Sequence, residues 1–410
     1  IENGRYAIIA IEGVITDAAK QIEKKNYAML TSSFIQISGK EKEKTVNLCS
    51  ARDTKNVHGE NKGIIELFNK QVKKTPQAIA VICGDEKLTY NGLNDKANNY
   101  GVYLSEVHNI QADDRIIVTL PHDKHLLAVL LAVKKIGAIY VPLDPETPKE
   151  RIGYIMEDSE SILVINQDFL VEMNNFNNSD DKVLKPYHPQ INHIEFIIYT
   201  SGSTGTPKGI MINSHSVANR LNWMWNEYPF DKGEVCCAKT SISFVDHIWE
   251  IFGPLLQGVP SVFFTKPEIL DVPSFIKSLN KNGVTRIVLV PSFLRILLAN
   301  PMLCKEQLNK LNLWISSGAS LKKSDVEHFY ELLQRGDVRL LNIYGSTEVT
   351  ADATYYDTYE TYNGYKAFEL FKKSAGSKID SLITKHKVSN KIIAQDFQSL
   401  FNLTNFIIIF

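Results

Sequence analysis

The stretch Tyr199-Thr-Ser-Gly-Ser-Thr-Gly-Thr-Pro-Lys-Gly209 decides how this chain is read. It follows the mostly apolar run Ile194–Ile198, which reads as a buried strand bounded by turn signals. The loop sets Ser201, Ser203, Thr204 and Thr206 between Gly202, Gly205 and Gly209, and then adds Lys208. Glycines let backbone approach a ligand closely. Hydroxyls and free amides supply donors and the lysine supplies positive charge, so the loop suits a polyphosphate. It is not the P-loop of NTPases. Counted from Gly202, Pro207 stands where the second glycine is required and Gly209 where Ser or Thr is required. Composition alone would equally allow a surface loop; the whole pattern favours the phosphate reading.

Working outward, 410 residues suffice for two or more domains. Hydrophobic content is 44% and charged content 22%, ordinary for a globular protein. A net charge of −1 gives no electrostatic case for nucleic acid or an anionic membrane. Cys49, Cys83, Cys236, Cys237 and Cys304 are odd in number and lack Cys-x-x-Cys spacing, which favours reduced thiols in a cytoplasmic setting. No apolar run approaches the roughly 20 residues of a membrane span. The chain opens on Ile1 without a signal-peptide pattern and reads as a piece of a longer chain.

Three regions are expected: 1–60, 61–357 and 358–410. In the first, Tyr6–Val14 reads as a strand, Asp17–Ala28 as a polar helix and Lys40–His58 as a linker, and no chemistry can be placed there. Ile64–Val72 has helical spacing and is followed by Pro76. Strands are expected at Ala78–Cys83, Arg115–Leu120, Ser161–Asn166, Ser261–Phe264, Arg286–Val290, Leu313–Ser317 and Leu340–Ile343. Helices are expected at His125–Ile136, His215–Trp225, Pro273–Asn282 and Ser292–Ala299, and Asn174–Asp181 reads as a surface loop. The alternation implies α/β architecture with doubly wound parallel sheets.

With its neighbours, the phosphate-loop string resembles that of the adenylate-forming enzymes: nonribosomal peptide synthetase adenylation domains, acyl-CoA ligases and luciferases. Leu88-Thr-Tyr-Asn-Gly-Leu-Asn-Asp-Lys-Ala97 resembles the first core motif, with Gly92 in place of glutamate. Gly137-Ala-Ile-Tyr-Val-Pro-Leu-Asp-Pro145 resembles the second, a scaffold of strand, proline-fixed turn and helix start. Leu341-Asn-Ile-Tyr-Gly-Ser-Thr-Glu-Val-Thr350 resembles the adenine and magnesium motif, with Ser346 in place of proline. The resemblance implies the N-terminal domain of that superfamily, with ATP and Mg²⁺ as cofactors. Thr200, Ser201, Gly202, Ser203, Thr204, Gly205 and Lys208 would hold phosphate. Gly318, Asn342, Tyr344, Gly345, Ser346 and Thr347 would hold adenine and the reacting groups, and Glu348 would hold the metal. Thr347, Glu348 and Lys208 would carry catalysis. The turn Ser316-Ser-Gly-Ala-Ser320 has Ala319 where an acidic residue is usual, leaving adenine to backbone groups.

The acyl pocket narrows the branch. Relatives specific for α-amino acids present an aspartate from Phe-Asp-x-Ser-x-Trp-Glu. Here Phe244-Val-Asp-His-Ile-Trp-Glu-Ile-Phe252 puts Val245 at that position and the carboxylate one residue on, at Asp246. A buried ammonium without a partner is costly, so α-amino acids should be rejected. The remaining lining carries over as Trp249, Leu289, Ile315, Ser317, Ile343, Ala351 and Asp352, a set resembling pockets for β-alanine and other β-amino acids. The alternative is that Asp246 faces away and the pocket takes a neutral acid. His247 reads as a packing or hydrogen-bonding residue. A peptidyl carrier protein with its phosphopantetheine arm is the implied partner.

The resemblance ends near Tyr356. The family's Tyr-x-Thr-Gly-Asp motif and lid lysine have no match, so the C-terminal lid domain is expected to be absent and turnover weak. Polar helices are expected at Ala367–Lys373 and Ile379–Lys387. Asn405-Phe-Ile-Ile-Ile-Phe410 is β-prone, and the tail reads as a truncation, a shifted frame or a graft. Two other assignments stay open: an acyl- or aryl-CoA ligase, and a non-catalytic remnant that binds nucleotide or a partner.

Overall fold

From Ile64 onward, short apolar segments alternate with helices, and the strands they form sort into two sheets. The computed structural model describes residues 63–176, 182–187, 193–201, 206–359 and 362, with the backbone of 407–408. Described residues up to Ala353 belong to one compact unit, and those from Thr354 onward to another. The readings at 1–60, at Ala367–Lys373 and at Ile379–Lys387 lie outside the described residues.

In the larger unit, β1 (Ile79–Cys83) and β2 (Glu86–Thr89) form a hairpin. Then β3 (Arg115–Val118), β4 (Ile139–Pro142), β5 (Ser161–Ile165), β6 (Ile194–Ser201) and β7 (Pro207–Asn213) build one sheet in the order β5-β3-β4-β6-β7. Its strands are parallel except for the antiparallel pair β6 and β7. The other sheet takes β8 (Cys236–Ala238), β9 (Ser261–Phe263), β10 (Arg286–Leu289), β11 (Leu313–Ser316) and β12 (Arg339–Tyr344), in the order β12-β11-β10-β8-β9-β1-β2. In the other unit, β13 (Thr354–Asp357) pairs antiparallel with β14 (Ile407–Ile408), inside the β-prone end of the sequence.

The helices follow the expected pattern to within a few residues. The one at Lys124–Lys135 is capped by the Asp123 carboxylate, which accepts from the amides of His125 and Leu126. Leu126–Lys135 are all buried, as a helix apolar on nearly every side must be. Its deeper buried charge, Lys134, meets Glu195 of β6 at 2.8 Å, and Glu195 also accepts from Ser214 Oγ at 2.8 Å. Breaking a buried pair of this kind costs about 3–5 kcal/mol. Ile152, Ile155 and Met156 of helix Lys149–Asp158 pack against Ile117, Val141 and Ile197, closing one face of the five-stranded sheet.

Two local expectations change. Asn174–Asp181 is not loop throughout, because helix Gln167–Asn175 runs into it. The phosphate loop is shorter than the sequence implied: Pro207–Asn213 forms β7, with Lys208 opposite Thr200 and Gly209 opposite Tyr199. A Cβ on Gly209 would sit 3.0 Å from the Tyr199 ring, so this glycine makes room for a cross-strand aromatic rather than for a ligand.

Candidate active site

Parallel registry aligns Val288 with Ile315 and Ile315 with Leu341, bringing the carboxyl ends of β10, β11 and β12 side by side. Open α/β sheets present their ligand crevices at such strand ends. Leu289, Ile315 and Ile343 sit on these strands, each 2% exposed. Ser317 follows β11, and the Ser317 amide donates to Leu289 O at 3.0 Å. Trp249 lies on the wide turn Ile248–Phe252, a π-helical turn, with Val245 and Asp246 just before it. Val245, Trp249, Ala351 and Asp352 are buried.

The charges of this cluster are tied to their neighbours. Ser317 Oγ donates to both carboxylate oxygens of Asp246, at 3.2 and 3.4 Å. Arg220, from helix Ser214–Glu227, turns inward and forms an ion pair with Asp352, their side chains 4% and 1% exposed. Its guanidinium lies 5.1 Å from the Trp223 ring centre and 5.6 Å from that of Trp249. Phe230 stacks on Trp249 with ring centres 5.7 Å apart, and the Arg286 guanidinium covers Phe230 at 4.2 Å. Burial raises the Asp246 carboxyl above the ordinary range, while Arg220 and the Ser317 hydroxyl oppose the shift. Burial pushes Asp352 up to about 6; Arg220 opposes this and the Asp246 charge adds to it. Lys239 also reaches Asp246, but it lies 3.9 Å from Glu250, which offsets its charge.

Sequence reasoning missed Arg220, although a signal was present. Val217, Leu221 and Met224 mark the buried face of that helix, and Arg220 sits on it. A charge on an apolar face calls for a buried counter-ion.

The segment after β12 folds back on itself. Thr347–Val349 form one 3-10 turn, the amide of Ala351 donates to Ser346 O at 3.1 Å, and that of Ala353 to Tyr344 O at 2.9 Å. Ala351 O thereby lies where a Cβ on Gly345 would go, 1.6 Å away, so no side chain fits there. Thr350 and Ala351 take φ values of 59° and 82°, strain of about 1–3 kcal/mol per residue. Asn342 closes the ladder opposite Ser316, and Gly318 turns the chain just past it with φ 78°. Tyr344, Ser346 and Glu348 face solvent, and Thr347 is half-buried. The Glu348 amide and the Ser346 hydroxyl hold the Glu348 carboxyl below its ordinary value, so it is anionic at neutral pH.

In the five-stranded sheet, Thr200 and Ser201 end β6, and Lys208 follows Pro207 at the start of β7, exposed. Gly202, Ser203, Thr204 and Gly205 lie outside the described residues. His247 is fully buried. With Nδ1 donating to Phe244 O at 2.7 Å, Nε2 accepts from Tyr140 Oη at 2.9 Å. Burial lowers its pKa to about 4, so it is neutral and holds two segments together. Among the described residues the cysteines Cys83, Cys236, Cys237 and Cys304 are free, no group of three metal-binding side chains converges, and no helix is long and apolar enough to cross a membrane.

The family model described as AMP-binding enzyme matches residues 68–368. A mycosubtilin synthase of Bacillus subtilis is 32% identical over 316 residues, 72% of this chain and 12% of that protein. The Drosophila melanogaster protein named beta-alanyl-bioamine nonribosomal peptide synthetase ebony is 31% identical over 301 residues, 65% of this chain and 34% of its own length. The chain thus spans no more than about a third of these relatives. Among solved structures, the N-terminal subdomain of Klebsiella oxytoca NpsA, in complex with 3-hydroxyanthranilyl-AMSN, superposes with a TM-score of 0.64 at 21% identity. That match covers 72% of this chain and 75% of that one, and shows the same fold.

Proposed function

The chain belongs to the AMP-binding enzyme family, and from that premise we propose that it activates the carboxylate of a β-amino acid, with β-alanine the first candidate. In this reading the substrate carboxylate attacks the α-phosphorus of ATP, pyrophosphate leaves, and an aminoacyl-adenylate forms. The product would then load the phosphopantetheine thiol of a carrier protein in nonribosomal peptide synthesis. Adenylation relies on positioning and on charge stabilisation at the phosphates.

The observation that carries the reading is the charge balance of the acyl pocket. Arg220 offsets Asp352, which leaves Asp246, tethered by Ser317, as the negative group with no ion pair among the described residues. One surplus negative charge out of water complements one ammonium. Val245 at the position usual for an α-amine partner agrees with an amine placed one carbon further away. The name of the Drosophila relative supports β-alanine. A solved NpsA-ThdA fusion described as an adenylation-PCP di-domain supports a carrier partner.

Thr200 to Lys208 would hold the phosphates, and Tyr344 would stack on adenine between Asn342 and Thr347. The AMPPNP-bound form of FmoA3 is a fold relative that supports nucleotide binding. Glu348 fits Mg²⁺, which takes one or two carboxylates together with substrate phosphates and water. The bound ion would supply neutralisation of phosphate charge.

ATP–pyrophosphate exchange tests the reading with β-alanine, a panel of α-amino acids and simple carboxylic acids. Exchange with β-alanine above all others is the expected result. Preference for an α-amino acid would sink the pocket assignment. Transfer to free coenzyme A would favour an acyl-CoA ligase, and ATP binding without exchange would favour a nucleotide-binding remnant.

A further inference from the structure

Arg220 is only partly satisfied in its buried position. One nitrogen, Nη2, meets Asp352, while Nε and Nη1 are buried and make no hydrogen bond among the described residues. An arginine in this state is drawn strongly to any carboxylate within reach, because its remaining donors have no water to turn to. The aromatic column of Trp249 and Phe230, closed at the far end by Arg286, restricts where the guanidinium can lie. Asp246 is close enough to feel the Arg220 charge, as is Asp352, and the two carboxylates feel each other.

We propose that Asp352 acts as a decoy for Arg220, and that this pairing makes Arg220 a positioning residue for amine recognition by keeping Asp246 uncommitted. The inference rests on the amine-recognition reading above and deepens it. Asp352 then does not contact the amine. Its role is to hold the arginine away from the carboxylate that does.

The consequence is non-additive. With the charge of Asp352 removed, Arg220 pairs with Asp246 and the amine loses its counter-ion. With both Arg220 and Asp352 neutralised, Asp246 is again free and amine recognition returns. Residues acting through one network deviate from additivity in this way. A purely structural role for the pair predicts no recovery of selectivity in the double variant.

The test uses the whole chain and two non-reacting mimics of the acyl-adenylate, β-alanyl-sulfamoyl-adenosine and propionyl-sulfamoyl-adenosine, which differ in the amine. The readout is the ratio of their dissociation constants by calorimetry, in protein shown to be folded by its melting curve. Wild type should prefer the amine mimic. Asp352→Asn should lose about tenfold or more of that preference, and Asp352→Glu, which keeps the charge, should retain most of it. Arg220→Met with Asp352→Asn should return to within about threefold of wild type. Retained preference in Asp352→Asn, or a folded double variant without recovery, overturns the inference while leaving the proposed function standing. A wild type without amine preference overturns both.

Discussion

Arg220 and Asp352 keep all but 4% and 1% of their side chains from water, whereas Tyr344, at the end of the neighbouring strand, is 74% exposed. Lys208 and Glu348 are exposed with it. The proposed acyl pocket, around Arg220 and Asp352, and the proposed nucleotide surface, around Tyr344, therefore treat charge differently. In the pocket each charge is fixed by its neighbours before any ligand arrives, and removing one disturbs the rest. On the nucleotide surface the groups are solvated and screened, and their interactions strengthen when a ligand displaces water. If the proposed function holds, selectivity would be built in beforehand on one side, and ATP contacts would be completed on binding on the other.

The sharpest way to break this contrast is Asp246→Asn. Removing one partner of a buried charge pair costs about 3–5 kcal/mol, so affinity for β-alanyl-sulfamoyl-adenosine should fall about a hundredfold or more, far beyond any change in ATP affinity. Equal losses for the two ligands, measured by calorimetry, would show that the regions are not separate. Tyr344→Ala comes next. Loss of a base-stacking ring should weaken ATP binding about tenfold, while the melting temperature stays near that of wild type because the ring packs on little. A marked fall in melting temperature would place Tyr344 among the structural residues instead.

The smallest effect is the pH response. Burial raises the Asp352 carboxyl to about 6, so it is ionised above that pH and protonates below it. Between about pH 7.5 and about pH 5.5 the ionised fraction falls about fourfold. Arg220 then loses its partner, and the preference for the amine mimic over the propionyl mimic should fall by a similar factor. Asp246, also raised by burial, acts in the same direction. Stability runs the opposite way: a raised carboxyl pKa stabilises the fold at acid pH, and that contribution is lost as pH rises through about 6. An amine preference independent of pH over this range would mean that Asp352 does not control Arg220.

The sequence made most of this legible where the signal was local. Ile194–Ile198 was apolar and bounded by turn residues, and the strand is there, extended to Ser201. The helix expected at His125–Ile136 is there as Lys124–Lys135. β7 escaped notice because Pro207, Lys208 and Gly209 read as loop, and Met211 on its outer face is 66% exposed. It exists because β6 offers it a pairing edge, a contact that no local pattern encodes. The order of the parallel strands was hidden for the same reason. In the site, residue types in motifs could be assigned from the string alone. Arg220 could not, since its meaning comes from Asp352, 132 positions away along the chain (352 − 220).

Gly345 has a consequence for how such a chain can change over generations. Every missense change at a glycine codon adds at least a Cβ, and here the Cβ would occupy the place of Ala351 O. The crossing after β12 therefore offers selection no graded alternatives. Leu289 and Ile315 instead project from strands β10 and β11, whose backbone path is set by registry and not by those side chains. On the proposed function, change would then be freer in the residues that select the acid than in the fold of the segment that would hold the nucleotide.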